Sequence, residues 1–462
     1  MLKKTIRGLV ARLRAAPRVP SGPLRLAREA HGINPRHVSR HAIKVCDVLK
    51  QHGYQAYIVG GAVRDLIAGL EPKDFDVATN ATPEQIRPLF RRARIIGRRF
   101  RLVHVVFGRE IIETSTFRAA ADDDTPTDDH GRLLRDNLFG THEEDAARRD
   151  FTLNALYYDP LTEEVIDFHG GVQDLQQRVV RMIGDPETRY REDPVRMLRA
   201  LRFAAKLDAR IEPATQAPIR ALAPLLDNVP ASRRFDELIK LLTCGQAMNC
   251  LEAMRRENLH TPVLPMLDEA LALEGNEEFI ALALERTDVR VRTGQSVSPS
   301  FLFAALLWRL VQQRWHALCQ DGEPPAQALA QAADEIVTRH NRRLPIQKRI
   351  QADMRDIWFM QARFERSTPR AIWRMLAQPR FRAAVDFLQL RAEAREVDSV
   401  QAQWWMDLAD ADQAGRSEML TALQEKQQAG GSTGKKRRRR PRRRPAAAPA
   451  TETAGKGEAG AS

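Results

Sequence analysis

Two aspartates, Asp74 and Asp76, stand two residues apart in the segment Lys73-Asp74-Phe75-Asp76. On a β-strand, side chains at this spacing leave the same face of the backbone. Two carboxylates that converge in this way are costly to ionise together unless a cation lies between them. Magnesium prefers such oxygen ligands and completes its shell with phosphate oxygens. An isolated pair is more often a solvated turn, so the magnesium prediction depends on the residues around it.

A glycine pair, Gly60-Gly61, stands upstream of these aspartates and follows the apolar run 54–59. The run predicts a strand, and residues 62–68 predict a short helix after the turn. Such a turn lets the backbone approach a phosphate, toward which the first helical N–H groups point. Arg64 adds a cation. With the aspartates in order behind this turn, we predict nucleotidyl transfer, in which paired metals activate a hydroxyl and stabilise the leaving pyrophosphate.

A third carboxylate, Glu113, lies inside the apolar run 110–117. The turn Gly108-Arg109 separates this run from a second one at 102–107, so the two runs predict a β-hairpin. An acid within an apolar strand is unusual, and we expect Glu113 to be a third catalytic carboxylate on a strand beside the aspartates. The alternative is a solvent-facing glutamate on an edge strand.

Residues 148–155 read Arg-Arg-Asp-Phe-Thr-Leu-Asn-Ala. An arginine here neutralises triphosphate charge, and Asp150 offers an acceptor for a ribose hydroxyl. We therefore expect Arg149, Asp150 and Asn154 to contact a nucleotide. Taken alone, the Arg-Arg-Asp triplet is usually a surface feature.

The segment Glu192-Asp193-Pro194-Val195-Arg196 has the pattern of a helix start, with Asp193 as N-cap and Pro194 at the first helical position. Asp193 and Arg196 are three residues apart, so their side chains are expected to meet. Together they provide an acceptor and donors that match the N6 amino group and N1 of adenine. Arg196, Arg199 and Arg202 recur every three residues along one flank of the predicted helix, with no acidic residue beside them. We therefore expect phosphate or RNA to neutralise their charge.

The distribution of strand-like runs predicts an α+β fold. Such runs occur between residues 54 and 168, whereas alanine, leucine and arginine dominate beyond residue 193 and proline-containing breaks separate helical segments. Four isolated cysteines and the lack of a long apolar segment predict a cytoplasmic protein with reduced thiols. The expected parts are a basic N-terminal extension (1–35), an α/β head (36–185), a helical neck (186–260), a helical body that binds RNA (261–428) and a disordered arginine-rich tail (429–462).

The positive charge is concentrated at the C-terminus. Residues 435–462 contain ten Lys/Arg and two Glu, which leaves only +5 of the formal +13 for the rest of the chain. A cluster of this kind binds phosphate backbones without regard to sequence and loses affinity as salt rises. We therefore predict that the tail binds RNA through Arg437, Arg438, Arg439, Arg440, Arg442, Arg443 and Arg444.

Taken together, the motifs resemble those of the class II nucleotidyltransferases, the family of bacterial poly(A) polymerases and tRNA CCA-adding enzymes. The matching text is G-G-A-V-R-D with K-D-F-D, R-R-D-F-T-L-N-A, and E-D-P-V-R-M-L-R-A-L-R-F, over roughly residues 54–205. The resemblance implies a head with about five strands, ATP as substrate and a pair of Mg²⁺ ions on Asp74 and Asp76. It also implies triphosphate contacts from Gly60, Gly61, Arg64, Arg199 and Arg202, a ribose contact from Asp150, and a protein template for the base made by Asp193 and Arg196.

Within this family, three features resemble the poly(A) polymerase branch: the wording of residues 95–105, an acidic loop within 120–147, and the arginine-rich tail. The resemblance implies addition of AMP to RNA 3′ ends (mRNA, small RNAs and defective tRNA) in RNA decay, by a monomer. RNA-decay proteins are expected partners. The alternatives are a tRNA CCA-adding enzyme and a non-catalytic RNA-binding protein. Residues 1–22 are either a frayed basic leader or an amphipathic helix that associates weakly with a membrane.

Overall fold

The computed structural model describes residues 22–97, 101–119, 138–364 and 368–431. Residues 1–21, most of the acidic loop and the tail beyond residue 431 lie outside these ranges, whereas residues 429–431, which were expected to belong to the disordered tail, end a helix. The tail arginines from Arg437 to Arg444 therefore stay predicted RNA ligands. The part of the acidic segment that the structure does describe is not a loop throughout, because residues 142–147 form a helix that the capping box of Thr141 and Glu144 begins.

The head is built on one eight-stranded mixed sheet with the strand order β1-β8-β7-β2-β3-β6-β5-β4. All neighbouring strands are antiparallel except β3 and β6, which run parallel. The strands are β1 Leu24–Leu26, β2 Ala56–Val59, β3 Asp76–Thr79, β4 Ala93–Ile96, β5 Leu102–Phe107, β6 Glu110–Thr116, β7 Leu156–Asp159 and β8 Glu164–Asp167.

The sheet is wider than the resemblance implies, because short strands extend both edges. On one side Leu24–Leu26 pairs with β8, although it comes from the segment expected to be a basic extension. On the other side β4 pairs with β5. Neither segment forms an apolar run that predicts a strand, because an arginine interrupts Leu24–Leu26 and three arginines lie within residues 91–94.

Helices cover the sheet and form the head's main hydrophobic core. Helix α2 is capped by Ser39 and buries Ala42, Val45, Cys46 and Leu49. The head helices are α1 Arg28–His31, α2 Arg40–Gln51, α3 Gly61–Ile67, α4 Pro83–Ile86, α5 His142–Ala147 and α6 Gly171–Gln176.

Beyond the head the chain is helical, as predicted, with one small exception. A two-residue parallel pair joins β9 Val179–Val180 to β10 Arg210–Ile211. The helices of the neck are α7 Pro186–Glu192, α8 Val195–Lys206, α9 Pro213–Gln216, α10 Ile219–Leu222, α11 Ala231–Leu242 and α12 Ala247–Arg256. Those of the body are α13 His260–Val263, α14 Leu267–Leu271, α15 Asn276–Arg292, α16 Pro299–Gln320, α17 Pro325–Asn341, α18 Lys348–Phe364, α19 Pro369–Leu376, α20 Phe381–Glu393, α21 Ser399–Asp410 and α22 Gln413–Gly431.

The helical part has two hydrophobic cores. The larger runs from Phe151 through the neck into the body and contains the fully buried Trp308 and Trp358. The smaller one lies among α18 to α22 around Phe381 and Trp405, and we call this unit the C-terminal helices. No helix in the described ranges is long and apolar enough to cross a bilayer.

Candidate active site

A cleft of about 700 Å³ lies between the head and the neck. Three sequence-distant segments meet there: the glycine turn with the aspartates, residues 149–154, and the start of α8. Twelve of the thirteen predicted site residues in the described ranges line it, namely Gly60, Gly61, Arg64, Asp74, Asp76, Arg149, Asp150, Asn154, Asp193, Arg196, Arg199 and Arg202. The thirteenth, Glu113, is not among the lining residues.

The glycine turn connects strand β2 to helix α3. Gly60 has a φ of +72°, which favours glycine, and a Cβ at this position would lie 3.2 Å from Nη1 of Arg149. The two glycines of the turn therefore line the cleft with backbone and no side chain. Arg64 follows on α3 with its guanidinium buried.

Asp76 and Glu113 lie on neighbouring strands, whereas Asp74 lies in the loop before β3 and not on the strand that its spacing from Asp76 had suggested. Asp76 begins β3 and is in register with Glu113 on the parallel strand β6. Withdrawal from water inside the cleft, together with the charges of Glu113 and Asp74, raises the pKa of Asp76 to about 6, although Arg149 opposes this shift. Mutual repulsion of this kind is relieved by a cation, so the donor set fits a divalent metal.

Glu113 differs from the two aspartates because it does not line the cleft. Its side chain is 52% exposed, and Oε1 lies 3.3 Å from Nε2 of His104. In the described ranges, no group of three or more His, Cys, Asp or Glu side chains is close enough to hold a metal alone. Mg²⁺ commonly uses one or two carboxylates and takes its other ligands from water and substrate phosphates, which is consistent with Asp74 and Asp76 as its protein ligands.

A buried network joins the head to the neck behind the cleft. Arg64 donates to Oδ1 of Asn154 (2.7 Å), and Nδ2 of Asn154 donates to Oδ1 of Asp150 (2.9 Å). Nε of Arg199, on α8, donates to Oδ2 of Asp150 (2.6 Å). Burial alone would raise the pKa of Asp150, but Arg199 and the hydrogen bonds from Asn154 and Phe151 lower it to about 2. Asp150 is therefore ionised and fixed in orientation.

Arg149 is anchored from the head side. Its Nη2 donates to Oδ2 of Asp145 (3.0 Å), and its Nε donates to the hydroxyl of Tyr157 (3.0 Å). Burial disfavours the charge, but Tyr157 and Asp145 hold the pKa of Arg149 above its ordinary value. The guanidinium is thus a fixed cation beside Gly60.

The prediction that the side chains of Asp193 and Arg196 contact each other is wrong. Nη1 of Arg196 donates to Oε2 of Glu192 and to the carbonyl of Arg189, both at 2.7 Å. Asp193 accepts instead from Nη2 of Arg233 on α11, and its Oδ1 lies 3.3 Å from the backbone N of Val195. Helix α8 begins at Val195, one residue later than predicted. Asp193 therefore lies in the two-residue link between α7 and α8, Asp193-Pro194, which we call the elbow, rather than on a face of the helix. Both residues still line the cleft.

The arginines of α8 also have acidic partners, contrary to expectation. Arg196 pairs with Glu192, Arg199 with Asp150 and Arg202 with Glu237. Two of these acids come from elements 49 and 35 residues away, so the helix sequence could not reveal them.

Several residues of the cleft had not been predicted. Helix α11 contributes Arg233, Asp236, Glu237 and Lys240, whose spacing of three to four residues marks one helical face and was the available signal. The others are Ala62, Asp65, Lys73, Val195, Phe203 and Lys206.

A mixed sheet that places two aspartates beside a glycine turn, closed by an arginine-rich neck, defines a nucleotidyltransferase. Family models match three parts of the chain: the poly A polymerase head domain (56–181), the probable RNA and SrmB-binding site of polymerase A (209–271) and the polymerase A arginine-rich C-terminus (321–444). The chain therefore belongs to the poly(A) polymerase family of nucleotidyltransferases.

Similar proteins agree with this assignment. A poly(A) polymerase I from Salmonella typhi is 45% identical over 87% of this chain and 89% of its own length. A CCA-adding enzyme from Bacillus licheniformis is 37% identical over only 49% of this chain and 56% of its own. A solved tRNA-processing enzyme, 20% identical, shares the fold with a TM-score of 0.56 over 84% of this chain and 98% of its own. The predicted class, a polynucleotide adenylyltransferase, is confirmed, and CCA-adding enzymes are more distant relatives.

Proposed function

We propose that the head–neck cleft is where this enzyme binds ATP and transfers AMP to the 3′ end of an RNA without a template. The observation that carries the proposal is the convergence of residues from three distant segments on one cleft. The cleft holds carboxylates for a metal, cations for a triphosphate and a polar elbow for a base.

The phosphate end of ATP is assigned to the glycine turn. The backbone at Gly60 and Gly61 is open, and Arg64 and Arg149 supply positive charge from two sides. Both guanidiniums are already oriented by Asp65 and Asp145, so their positions need little reorganisation when the nucleotide binds.

Adenine is assigned to the elbow before α8. Arg233 holds the carboxylate of Asp193, which can accept from the N6 amino group. Glu192 and the Arg189 carbonyl hold Arg196, which can donate to N1. Asp193 and Arg196 are each held by other residues and do not bind each other, so both side chains are available to a base that lies between them.

The ribose is assigned to Asp150. Its carboxylate is ionised and already accepts from Asn154 and Arg199, which leaves lone-pair capacity for a ribose hydroxyl. Asp74 and Asp76, with Glu113 on the adjacent strand, would hold Mg²⁺, which when bound would polarise the RNA 3′-hydroxyl and neutralise pyrophosphate. The residues of the chain contribute positioning and charge stabilisation.

The wider role is proposed from the same chemistry. Sequence-blind contacts suit an enzyme that extends many RNA 3′ ends, including mRNA, small RNAs and defective tRNA, and that promotes their decay together with RNA-decay proteins. We propose a cytoplasmic monomer. Weak membrane association through residues 1–22 is a separate proposal.

Incorporation of labelled ATP into an RNA primer tests the assignment. Asp74→Ala and Asp76→Ala are each expected to lower incorporation by at least about a thousandfold, whereas Asp47→Ala, on α2 away from the cleft, is the matched control. Full activity in either cleft variant would refute the metal assignment.

Nucleotide preference decides between the two activities of this family. With generic RNA, ATP should be incorporated and CTP should not. Efficient addition of two cytidylates to a tRNA that lacks its CCA end would instead establish CCA addition. A folded wild-type protein with no metal-dependent incorporation would support the non-catalytic alternative.

A further inference from the structure

Helix α19 presents two arginines and a tryptophan on one face. Arg370, Trp373 and Arg374 have the spacing i, i+3 and i+4, which places them side by side. Ile372 and Met375 point the other way into the core of the C-terminal helices. Trp373 is 42% exposed, and both arginines are exposed. We call these three residues the α19 patch.

The arginines of the patch differ from their neighbours in charge pairing. Arg380 pairs with Asp353, and Arg382 pairs with Asp386 and Asp410. In contrast, neither Arg370 nor Arg374 has a hydrogen-bond or ion-pair partner in the part of the chain that the structure describes. Their guanidiniums are therefore available to an external anion.

The stability of the helix does not explain this arrangement. Arg370 lies in the first turn of α19, where no acidic residue is present. A cation at the N-terminal end of a helix is disfavoured by the helix dipole. The indole of Trp373 also leaves apolar surface in water that a smaller or polar residue would not. The three side chains together suit a ligand that is both anionic and aromatic.

Single-stranded RNA has this chemistry. Its phosphates accept from guanidiniums, and its unpaired bases stack on aromatic side chains whatever their sequence. None of the three patch residues is among those that line the head–neck cleft. An RNA whose 3′ end occupies the cleft has upstream nucleotides that need a second binding surface.

We propose that the α19 patch binds single-stranded RNA upstream of the 3′ end, with Trp373 stacking on a base while Arg370 and Arg374 contact flanking phosphates. The proposal rests on RNA being the substrate, as proposed above. It adds a folded RNA contact that is distinct from the tail.

Equilibrium binding of a fluorescent oligo(A) primer to the full-length protein, without nucleotide, tests the patch. Trp373→Ala should weaken binding by at least about fivefold, because stacking on one base is worth roughly 1–3 kcal/mol. Trp373→Phe should keep most of the affinity. Val400→Ala on α21, where the residue is 75% exposed, is the matched control and should bind like the wild type.

The salt dependence separates the two kinds of contact. The variant Arg370→Gln/Arg374→Gln should reduce the slope of log affinity against log salt by about 1.4, the value for two phosphate contacts on a single strand. Trp373→Ala should leave that slope unchanged. Melting temperatures near that of the wild type verify that the variants are folded.

Wild-type affinity and salt slope in both the Trp373→Ala and the Arg370→Gln/Arg374→Gln proteins would overturn the proposal. Failure of the wild type to incorporate AMP would refute the proposed function instead. The binding and incorporation assays therefore distinguish the two failures.

Discussion

The head–neck cleft and the α19 patch are both rich in arginine, but only the cleft arginines are paired with acidic residues of the described structure. In the cleft, Arg149, Arg199 and Arg202 each bind an acid of the same protein, and much of each side chain is buried. On the patch, Arg370 and Arg374 stand in solvent without such partners in the described ranges. Guanidiniums held by acids of the protein can recognise the shape of one small substrate, whereas exposed guanidiniums without such partners can bind a phosphate backbone of any sequence.

The largest effect is expected from the buried pair of Asp150 and Arg199. Arg199→Met leaves the buried carboxylate of Asp150 without its main counter-charge, so the free energy of unfolding should fall by about 3 kcal/mol. Arg178→Met, which removes an exposed pair with Asp208, should cost at most about 0.5 kcal/mol. Urea unfolding of both variants measures the difference. Equal losses would show that burial does not distinguish the two kinds of pair.

A titration effect is expected next, at His142 on α5. His142 stacks against Phe117 and Tyr57, and burial lowers its pKa to about 4. The unfolded chain therefore binds this proton at higher pH than the folded one. The free energy of unfolding should therefore fall by up to about 3 kcal/mol as the pH drops from about 6.5 to about 4.

His142→Gln should flatten this part of the stability curve, whereas His52→Gln, at an exposed position, should not. Thermal melts between pH 4 and pH 7 measure the effect. Parallel curves for the wild type and His142→Gln would contradict the assignment of the proton to this histidine.

A smaller effect is expected from Arg233 on α11. Arg233→Ala frees the carboxylate of Asp193, so the KM for ATP should rise about tenfold and selectivity over the other nucleotides should narrow. Arg233→Lys should restore part of both. Steady-state kinetics with each of the four nucleotides is the measurement, and unchanged selectivity in Arg233→Ala would show that Asp193 needs no such support.

The smallest effect is expected on the patch itself. Arg370→Ala removes a cation from the N-terminal turn of α19 and no partner within the described structure. The free energy of unfolding should stay the same or rise by about 0.5 kcal/mol at most. A loss as large as that of Arg199→Met would mean that Arg370 has a structural role, and the contrast between the two regions would disappear.

The amino-acid sequence was sufficient for several features that depend on neighbours along the chain. The turn at Gly60 requires a positive φ, the run after it has helical character, and the hairpin that contains Glu113 follows from two apolar runs around a glycine. These motifs also predicted the class of enzyme, because they are recognised from the types and order of residues along the chain.

Tertiary structure decided which charges meet. Arg233 reaches Asp193 from 40 residues away, and the register of two parallel strands brings Glu113 beside Asp76. Helical spacing alone had paired Asp193 with Arg196, since it could not place the elbow before α8 or the facing helix α11. A side chain's partner depends on the packing of distant elements, and that packing is set by the burial of whole faces rather than by spacing within one segment.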